Sequence, residues 1–263
     1  MPASNGPVTG CSPQQQVIID MQSISRLSLI LLLSSSLCAQ QLPDKFSNLQ
    51  VLPRDISKND LMQLMRSFAF ALNVRCNYCH LEKAAPDAGF DFAADDKPPK
   101  KIARVMLTMT ANINRDYLSK LGKPEPVKVE CATCHRGLTE PRPLKAVLAD
   151  TLEKQGINAT IAQYRDLRSK YYGSGQYDFG ETQLNQFTES LMQAGKHKEA
   201  VAVAELNFQE NHPDSIWSYH LLAMAHEGNG ETAKAIDDYR NVVRLHPEDT
   251  WAKGRLESLT IAK

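Results

Sequence analysis

Two short segments carry the residue types that could do chemistry. Residues 76–80 read Cys-Asn-Tyr-Cys-His, and residues 131–135 read Cys-Ala-Thr-Cys-His. On a turn of helix, two cysteines three positions apart and the histidine that follows lie on one face. Such thiols can bond covalently to the two vinyl groups of a haem while the imidazole ligates its iron, so the spacing predicts two covalently bound haem c groups. The attachment residues would be Cys76, Cys79, Cys131 and Cys134, with His80 and His135 as proximal iron ligands.

Two other uses of paired cysteines fit the sequence less well. A zinc ribbon usually separates its two pairs by roughly 15 to 20 residues, far fewer than lie between Cys79 and Cys131. Zinc would also leave His80 and His135 without a role. A thioredoxin-like motif needs a preceding strand, whereas the surrounding sequence predicts helices and loops.

Methionine is the residue type available to ligate each iron on its distal side. Between residues 40 and 142 the histidines are the two already assigned, and the methionines form two pairs, each on a predicted helix that precedes an attachment motif. We therefore expect one thioether ligand from each pair and comparatively high reduction potentials. The alternative is that these methionines pack in a core. The candidates are Met62 or Met65 for the first haem and Met106 or Met109 for the second.

The helices that would carry these methionines can be outlined from the sequence. Ser57 is a plausible N-cap, followed by an apolar stripe of Leu61, Met65, Phe68 and Leu72. A second helix is expected to be capped by Asp95 or Asp96 and to end near Gly122. Its stripe, expected on the buried side, is Ile102, Met106, Met109, Ile113 and Tyr117. The sequence thus predicts a small dihaem domain over residues 40–142, built as helix, turn and Cys-x-x-Cys-His, twice.

The N-terminal segment reads as an export signal. Residues 21–39 combine Arg26, a short apolar run and small residues, the pattern of a signal peptide too short to span a bilayer. Residues 1–20 precede that signal and read as an extension from a mis-assigned start codon. Cleavage after Ala39 would leave four cysteines, all in the two motifs. A lipidated Cys38 is the alternative, and it would anchor the chain to a membrane.

The overall charge favours no anionic partner. The chain of 263 residues has 30 basic and 30 acidic side chains and a net charge of zero. A nucleic acid is therefore not expected as a partner, and any charged docking face must be local.

The two motifs and their flanking residues resemble a known family. Residues 48–53, Met65, the first motif, residues 95–106 and the second motif with Arg136-Gly137 are similar to the cytochrome c subunit of photosynthetic reaction centres. This resemblance covers roughly residues 45–142. It implies Met65 and Met109 as the distal ligands and electron relay to an oxidised partner at the outer face of a membrane. The family usually has four attachment motifs, and this chain has two.

Residues 143–263 predict a separate helical domain. Positions from Leu184 to Pro213 are echoed between Tyr219 and Pro247 at intervals of 34 or 35 residues, with small residues where two helices would cross. This period is typical of the tetratricopeptide repeat, which offers a concave surface to a protein partner.

These patterns together predict a mainly α protein with a dihaem cytochrome domain followed by a tetratricopeptide-like domain. We expect an exported electron carrier, periplasmic or at the outer face of the cytoplasmic membrane, and not an enzyme. Its partners would be other cytochromes or a membrane-bound electron-transfer complex. The alternatives are a dihaem peroxidase, which needs one open iron position, and an assembly scaffold in which haems are structural.

Overall fold

Helices make up most of the protein. The computed structural model describes residues 43, 45–84, 89–125 and 127–261, and ten α-helices lie within them. The mainly α prediction is confirmed. The expectations for residues 1–20, for the signal at 21–39 and for Cys38 lie outside the described residues. No helix in the described part of the chain is both long and apolar enough to span a membrane.

The described residues of the first half form three α-helices and one small sheet. Helix α1 spans Lys58–Leu72, α2 spans Pro98–Asn112, and the short α3 spans Cys131–His135. Strands β1 (Leu81–Glu82) and β2 (Phe90–Asp91) pair antiparallel, with Leu81 opposite Asp91. These strands could not be predicted from the sequence, because each has only two residues.

Helix α1 begins where the sequence predicts. The Ser57 hydroxyl accepts a hydrogen bond from the backbone N–H of Asp60 at 3.1 Å, which satisfies one of the free donors of the first turn. The helix ends at Asn73, whose left-handed backbone (φ 52°) turns the chain towards the first motif. Asparagine tolerates this conformation better than most residues.

Helix α2 begins differently from the prediction. Its N-cap is Lys97, which makes no side-chain cap, and Pro98 and Pro99 occupy the first helical positions, where a missing N–H costs nothing. The expectation that Asp95 or Asp96 caps this helix is wrong. After Asn112 the helix continues as one π-helical turn, Ile113–Tyr117, and a 3₁₀ turn, Leu118–Leu121, before it stops at Gly122 (φ 62°).

The expected buried stripe of α2 is in fact divided between two environments. Met106 is half-buried. Ile102, Met109 and Tyr117 are exposed, with 42% of Met109 and 69% of Tyr117 accessible. The whole stripe was predicted to face a protein core, but these three residues face away from the core.

The second half of the chain is a stack of helices joined by short turns. Every second helix contacts the next one along the stack: α4 lies against α6, α6 lies against α8, and α5 lies against α7. A continuous core fills the pairs from α4 to α8, and a smaller one, which includes Tyr239 and Ala252, joins α8 to α10. The helices are α4 (Leu144–Gln155), α5 (Ile157–Tyr171), α6 (Glu181–Gln193), α7 (His197–Glu210), α8 (Ile216–Gly228), α9 (Thr232–Leu245) and α10 (Thr250–Ile261).

The turn after α3 joins the two halves. Helix α3 packs on α1, and the Gly137 N–H donates to the carbonyl of Ala71 at 2.8 Å. Gly137 has φ 86°, and a Cβ there would lie 2.8 Å from the Gln176 side chain of the second half. Glycine suits this position because it adopts the positive φ without strain, and a Cβ would displace the end of the Gln176 side chain.

Candidate functional site

The first motif forms a tight turn directly after α1. Cys76–Tyr78 is a 3₁₀ turn. The His80 N–H donates to the Cys76 carbonyl at 2.9 Å, and the four-residue spacing of this bond is that of an α-helical turn. The Lys97 ammonium, from the start of α2, donates to the carbonyl of Asn77. The turn is therefore held from both sides, by the end of α1 and the beginning of α2.

This turn lies at an apolar cavity between α1 and α2. The empty space between the two helices, its open mouth included, is about 1380 Å³. Met62 and Met65 both line it from α1, and Cys76, Cys79 and His80 line it from the turn. The cavity thus brings together all the residues predicted for the first haem, and it does not choose between the two methionines.

The His80 imidazole is suited to bind a metal rather than a proton. Its ring meets the Phe92 ring edge-on, with centroids 5.1 Å apart. Burial, with the positive charge of Lys100, lowers the pKa of His80, so the ring is neutral at pH 7. Its Nδ1 atom is buried without a hydrogen-bond partner among the described residues.

A cationic cluster borders the same cavity. Arg104 donates two hydrogen bonds to Asp95, at 2.7 and 2.9 Å. Lys100 lies 3.1 Å from the same carboxylate and donates to the carbonyls of Phe92 and Ala94. The pKa of Asp95 is held far below its usual range, and the hydrogen bonds from the Arg104 guanidinium are the largest cause. Both cations line the cavity, which suits a ligand with carboxylates at its edge.

The second motif is the helix α3 itself. The Glu130 side chain and Thr133 form a reciprocal capping box at its start, and the Thr133 hydroxyl accepts from the Glu130 N–H at 3.0 Å. Cys131 is half-buried and Cys134 is exposed. Burial raises the pKa of the Cys131 thiol, as it does for Cys79 in the first motif.

His135 is oriented by a backbone carbonyl. Its Nδ1 atom lies 2.8 Å from the Leu138 carbonyl oxygen, which can only accept, so Nδ1 carries the proton. The other ring nitrogen, Nε2, keeps its lone pair. This is the arrangement that fixes a metal-binding histidine in proteins.

The exposed face of α2 lies on the segment that leads to this second motif. A shallow depression is lined there by apolar side chains around Met109, while Met106 is absent from it. Its lining residues are Val105, Thr108, Met109, Asn112, Ile113 and Tyr117. Exposed apolar side chains in a row indicate a surface that normally has a cover.

The cysteines and histidines of the two motifs do not combine into one zinc site. Within the ranges that the structure describes, no three His, Cys, Asp or Glu side chains are grouped so that they could hold a metal ion. No disulfide joins the four motif cysteines. The donor sets instead remain two separate Cys-x-x-Cys-His turns, each of which fits one covalently attached haem.

The sequence did not reveal the polar residues that position these turns. Asn114 bonds both its amide atoms to the backbone of Val129, and Asp95 binds Arg104 instead of capping α2. These partners are 9 and 15 residues apart. Local patterns relate residues only a few positions apart, so they could not have identified these hydrogen bonds.

The chain is similar to several known proteins. Residues 34–232 match the model of the family described as photosynthetic reaction centre cytochrome c subunit. Cytochrome c-554 of Chloroflexus aurantiacus is 33% identical over 96 residues, which are 36% of this chain and 21% of that protein. The photosynthetic reaction center cytochrome c subunit of Rubrivivax gelatinosus is 30% identical over 106 residues, 34% of this chain and 28% of that protein. That of Roseobacter denitrificans is 33% identical over 96 residues, 36% and 24% of the two chains. The matched part of this chain thus spans less than a third of each of these relatives.

Proposed function

Because the chain belongs to the photosynthetic reaction centre cytochrome c subunit family, we propose that it is a dihaem c-type cytochrome that passes single electrons between redox partners. Cys76 and Cys79 would hold one haem and Cys131 and Cys134 the other, with His80 and His135 as proximal ligands. Met65 and Met109 are the proposed distal ligands, and Met62 and Met106 the alternatives within each pair.

One observation carries this proposal. Each Cys-x-x-Cys-His turn is accompanied by an apolar surface on a methionine-bearing helix: the cavity beside the first turn and the open face of α2 on the segment leading to the second. A macrocycle with apolar faces would cover both surfaces. Arg104 and Lys100 supply positive charge at the edge of the first, where haem carboxylates would need it.

The chain's own residues would bind, orient and shield. A bound haem supplies the one-electron chemistry of its iron. The Leu138 carbonyl keeps the His135 ring in the tautomer whose Nε2 lone pair can bind iron. The Phe92 ring contacts the His80 ring edge-on. The apolar lining around Met65 would exclude water, which raises the reduction potential of a buried haem. With a histidine and a methionine bound, each iron would have no open position, and this would favour a carrier over a peroxidase.

The place of action and the partners are part of the proposal. The signal-like residues 21–39 and the family support export to the periplasm or the outer face of the cytoplasmic membrane. The electron partner would be another cytochrome or a membrane-bound complex. The stacked pairs α4 to α9 support a tetratricopeptide-like role for residues 143–263 as a docking module for a protein partner.

A haem count tests the proposal directly. We would secrete the protein from a host that matures c-type haems and measure its pyridine haemochrome and intact mass. The expected result is two haems per chain in the native protein and one in Cys131→Ala/Cys134→Ala, with both native haems titrating reversibly. A colourless product that contains zinc would refute the proposal. Rapid binding of one carbon monoxide per reduced chain would instead support the peroxidase alternative.

A further inference from the structure

Asn114 makes an unusual pair of hydrogen bonds. Its side-chain Nδ2 donates to the Val129 carbonyl at 2.8 Å, and its Oδ1 accepts from the Val129 N–H at 2.8 Å. Both polar ends of one amide are thus matched to both backbone groups of one residue. These are the bonds that a neighbouring β-strand would supply, and here a side chain supplies them.

The two residues lie close to the two proposed ligands of the second haem. Asn114 is on the continuation of α2, five positions after Met109, and Val129 is two positions before Cys131, the first residue of α3. Glu130, between Val129 and α3, is the N-cap and is itself fixed by Thr133. The amide therefore links the helix of Met109 to the helix of His135 through a short series of hydrogen bonds.

Little else holds these helices together. Helix α3 packs on α1, and no extensive packing between α2 and α3 is found in the part of the chain that the structure describes. The connection between them passes through turns around Gly122 and Pro124. A link of two hydrogen bonds would thus set the spacing across the second haem.

Asn114 is the second residue of the π-helical turn Ile113–Tyr117. Such turns occur frequently at functional sites. Asn114 is half-buried here while the flanking Arg115 is exposed.

We propose that Asn114 is a positioning residue for the second haem, which sets the distance between the Met109 thioether and the His135 imidazole through its two bonds to Val129. This inference rests on the proposed dihaem function. It assigns the residue no contact with the haem. Without the amide, the α2 segment and α3 would lose this link, and the methionine, the weaker of the two proposed ligands, would be the one lost.

Three variants test this role. Asn114→Ala removes both bonds, and Asn114→Asp keeps the acceptor for the Val129 N–H but loses the donor. Ser119→Ala is the matched control, because Ser119 bonds only the Arg115 carbonyl within the same connecting segment. Haem content, the methionine-to-iron charge-transfer band, carbon monoxide binding and the potential of each haem are measured on all three.

We expect two covalent haems in every variant. In Asn114→Ala the second haem loses its charge-transfer band and its reduction potential falls. About one carbon monoxide then binds per reduced chain. Asn114→Asp shows a smaller loss, and Ser119→Ala behaves like the native protein. An unchanged second haem in Asn114→Ala overturns the inference, as does equal disturbance of both haems in both Asn114 variants. A native protein without two haems refutes the proposed function itself.

Discussion

Met65 and Met62 both line the apolar cavity, yet they differ in their place on α1. Met65 belongs to the stripe with Leu61, Phe68 and Leu72, and Met62 lies beside that stripe. We predict that Met65→Ala abolishes the charge-transfer band of the first haem and lowers its potential, because a thioether ligand favours the ferrous state. Visible spectra and a redox titration measure both effects. Met62→Ala is the control, and the same losses in that variant would reverse the assignment.

Met109 and Met106 are separated more clearly. Met109 lies in the exposed depression of α2, whereas Met106 is half-buried outside it. We predict that Met109→Ala removes the band and lowers the potential of the second haem only. Met106→Ala should retain the band and, because Met106 is half-buried, should lower stability by less than the roughly 2–5 kcal/mol of a fully buried methionine. Spectra and urea unfolding of the two variants distinguish ligation from packing.

The two Cys-x-x-Cys-His turns could be predicted from sequence, and the choice between methionines could not. Cysteine and histidine at fixed spacing define a local turn, so residues 76–80 and 131–135 were recognisable without a fold. A methionine on an apolar stripe has the same pattern whether it packs or ligates. Only the exposure of Met109, which depends on what the rest of the chain leaves uncovered, separates the second pair.

The turn after α3 is the element on which the two halves meet. Gly137 and Gly122 both have a left-handed backbone, at φ 86° and φ 62°, but only Gly137 has a neighbour, the Gln176 amide, where a Cβ would lie. We predict that Gly137→Ala lowers the free energy of unfolding more than Gly122→Ala does. Backbone strain of about 1–2 kcal/mol is common to both variants, and the displacement of Gln176 is specific to the first. Urea unfolding compares them, and equal losses would show that the contact at Gln176 contributes nothing.

A buried histidine joins helices α8 and α9. The His226 Nδ1 atom lies 2.6 Å from Asp238, and Glu205 and Glu231 lie within 3.7 Å of its Nε2 atom. Burial alone would lower the pKa of His226, but the hydrogen bond and charge of Asp238 outweigh it, so the pKa is raised. The charged ring therefore stabilises this pair of helices below the unfolded pKa of roughly 6.5.

We predict that stability falls as the pH rises from about 6.5 through the raised pKa of folded His226, because the folded state then loses a proton that it binds more tightly than the unfolded chain does. Thermal unfolding between mildly acidic and mildly alkaline pH measures this slope. Asp238→Asn should flatten it, whereas Asp237→Asn, whose carboxylate pairs with exposed Arg240, should not. A slope that is unchanged in Asp238→Asn would assign the dependence to another group.

Helix bounds were largely predictable, and the contacts between helices were not. Ser57 caps α1 through a local hydrogen bond, which is why its position was read correctly. Asp95 has the same local signals as a cap, but a bidentate bond to Arg104 outweighs them. The docking of α3 on α1 joins residues far apart in the chain, and no periodicity records such a choice.

At the scale of the molecule, the two proposed haem sites are unequal. The first lies between α1, α2 and residues 45–52, whereas the surface around Met109 is open. A ferric haem carries one more positive charge than a ferrous one, so burial favours the reduced state. We predict that the first haem has the higher potential. In Cys131→Ala/Cys134→Ala the remaining haem should titrate at the higher of the two native steps, and titration at the lower step would contradict this order.

The family match also extends further than the sequence motifs suggested. The resemblance was recognised over roughly residues 45–142, whereas the family model covers residues 34–232 and so includes α4 to α8. The helical half lacks short chemical motifs, because its pattern of small and apolar residues serves packing alone. The predicted boundary at residue 143 therefore separates two kinds of sequence signal within one family match.

The docking of α3 on α1 has a consequence for electron tunnelling. Helix α1 continues directly into the first attachment turn, and the same helix supports the second through α3 and the bond from Gly137 to Ala71. Both porphyrins would then be positioned by the same helix, α1. Their edge-to-edge gap would be fixed by a single helix rather than by the intervening loops, so the rate of exchange between them would stay constant while those loops vary in length or move.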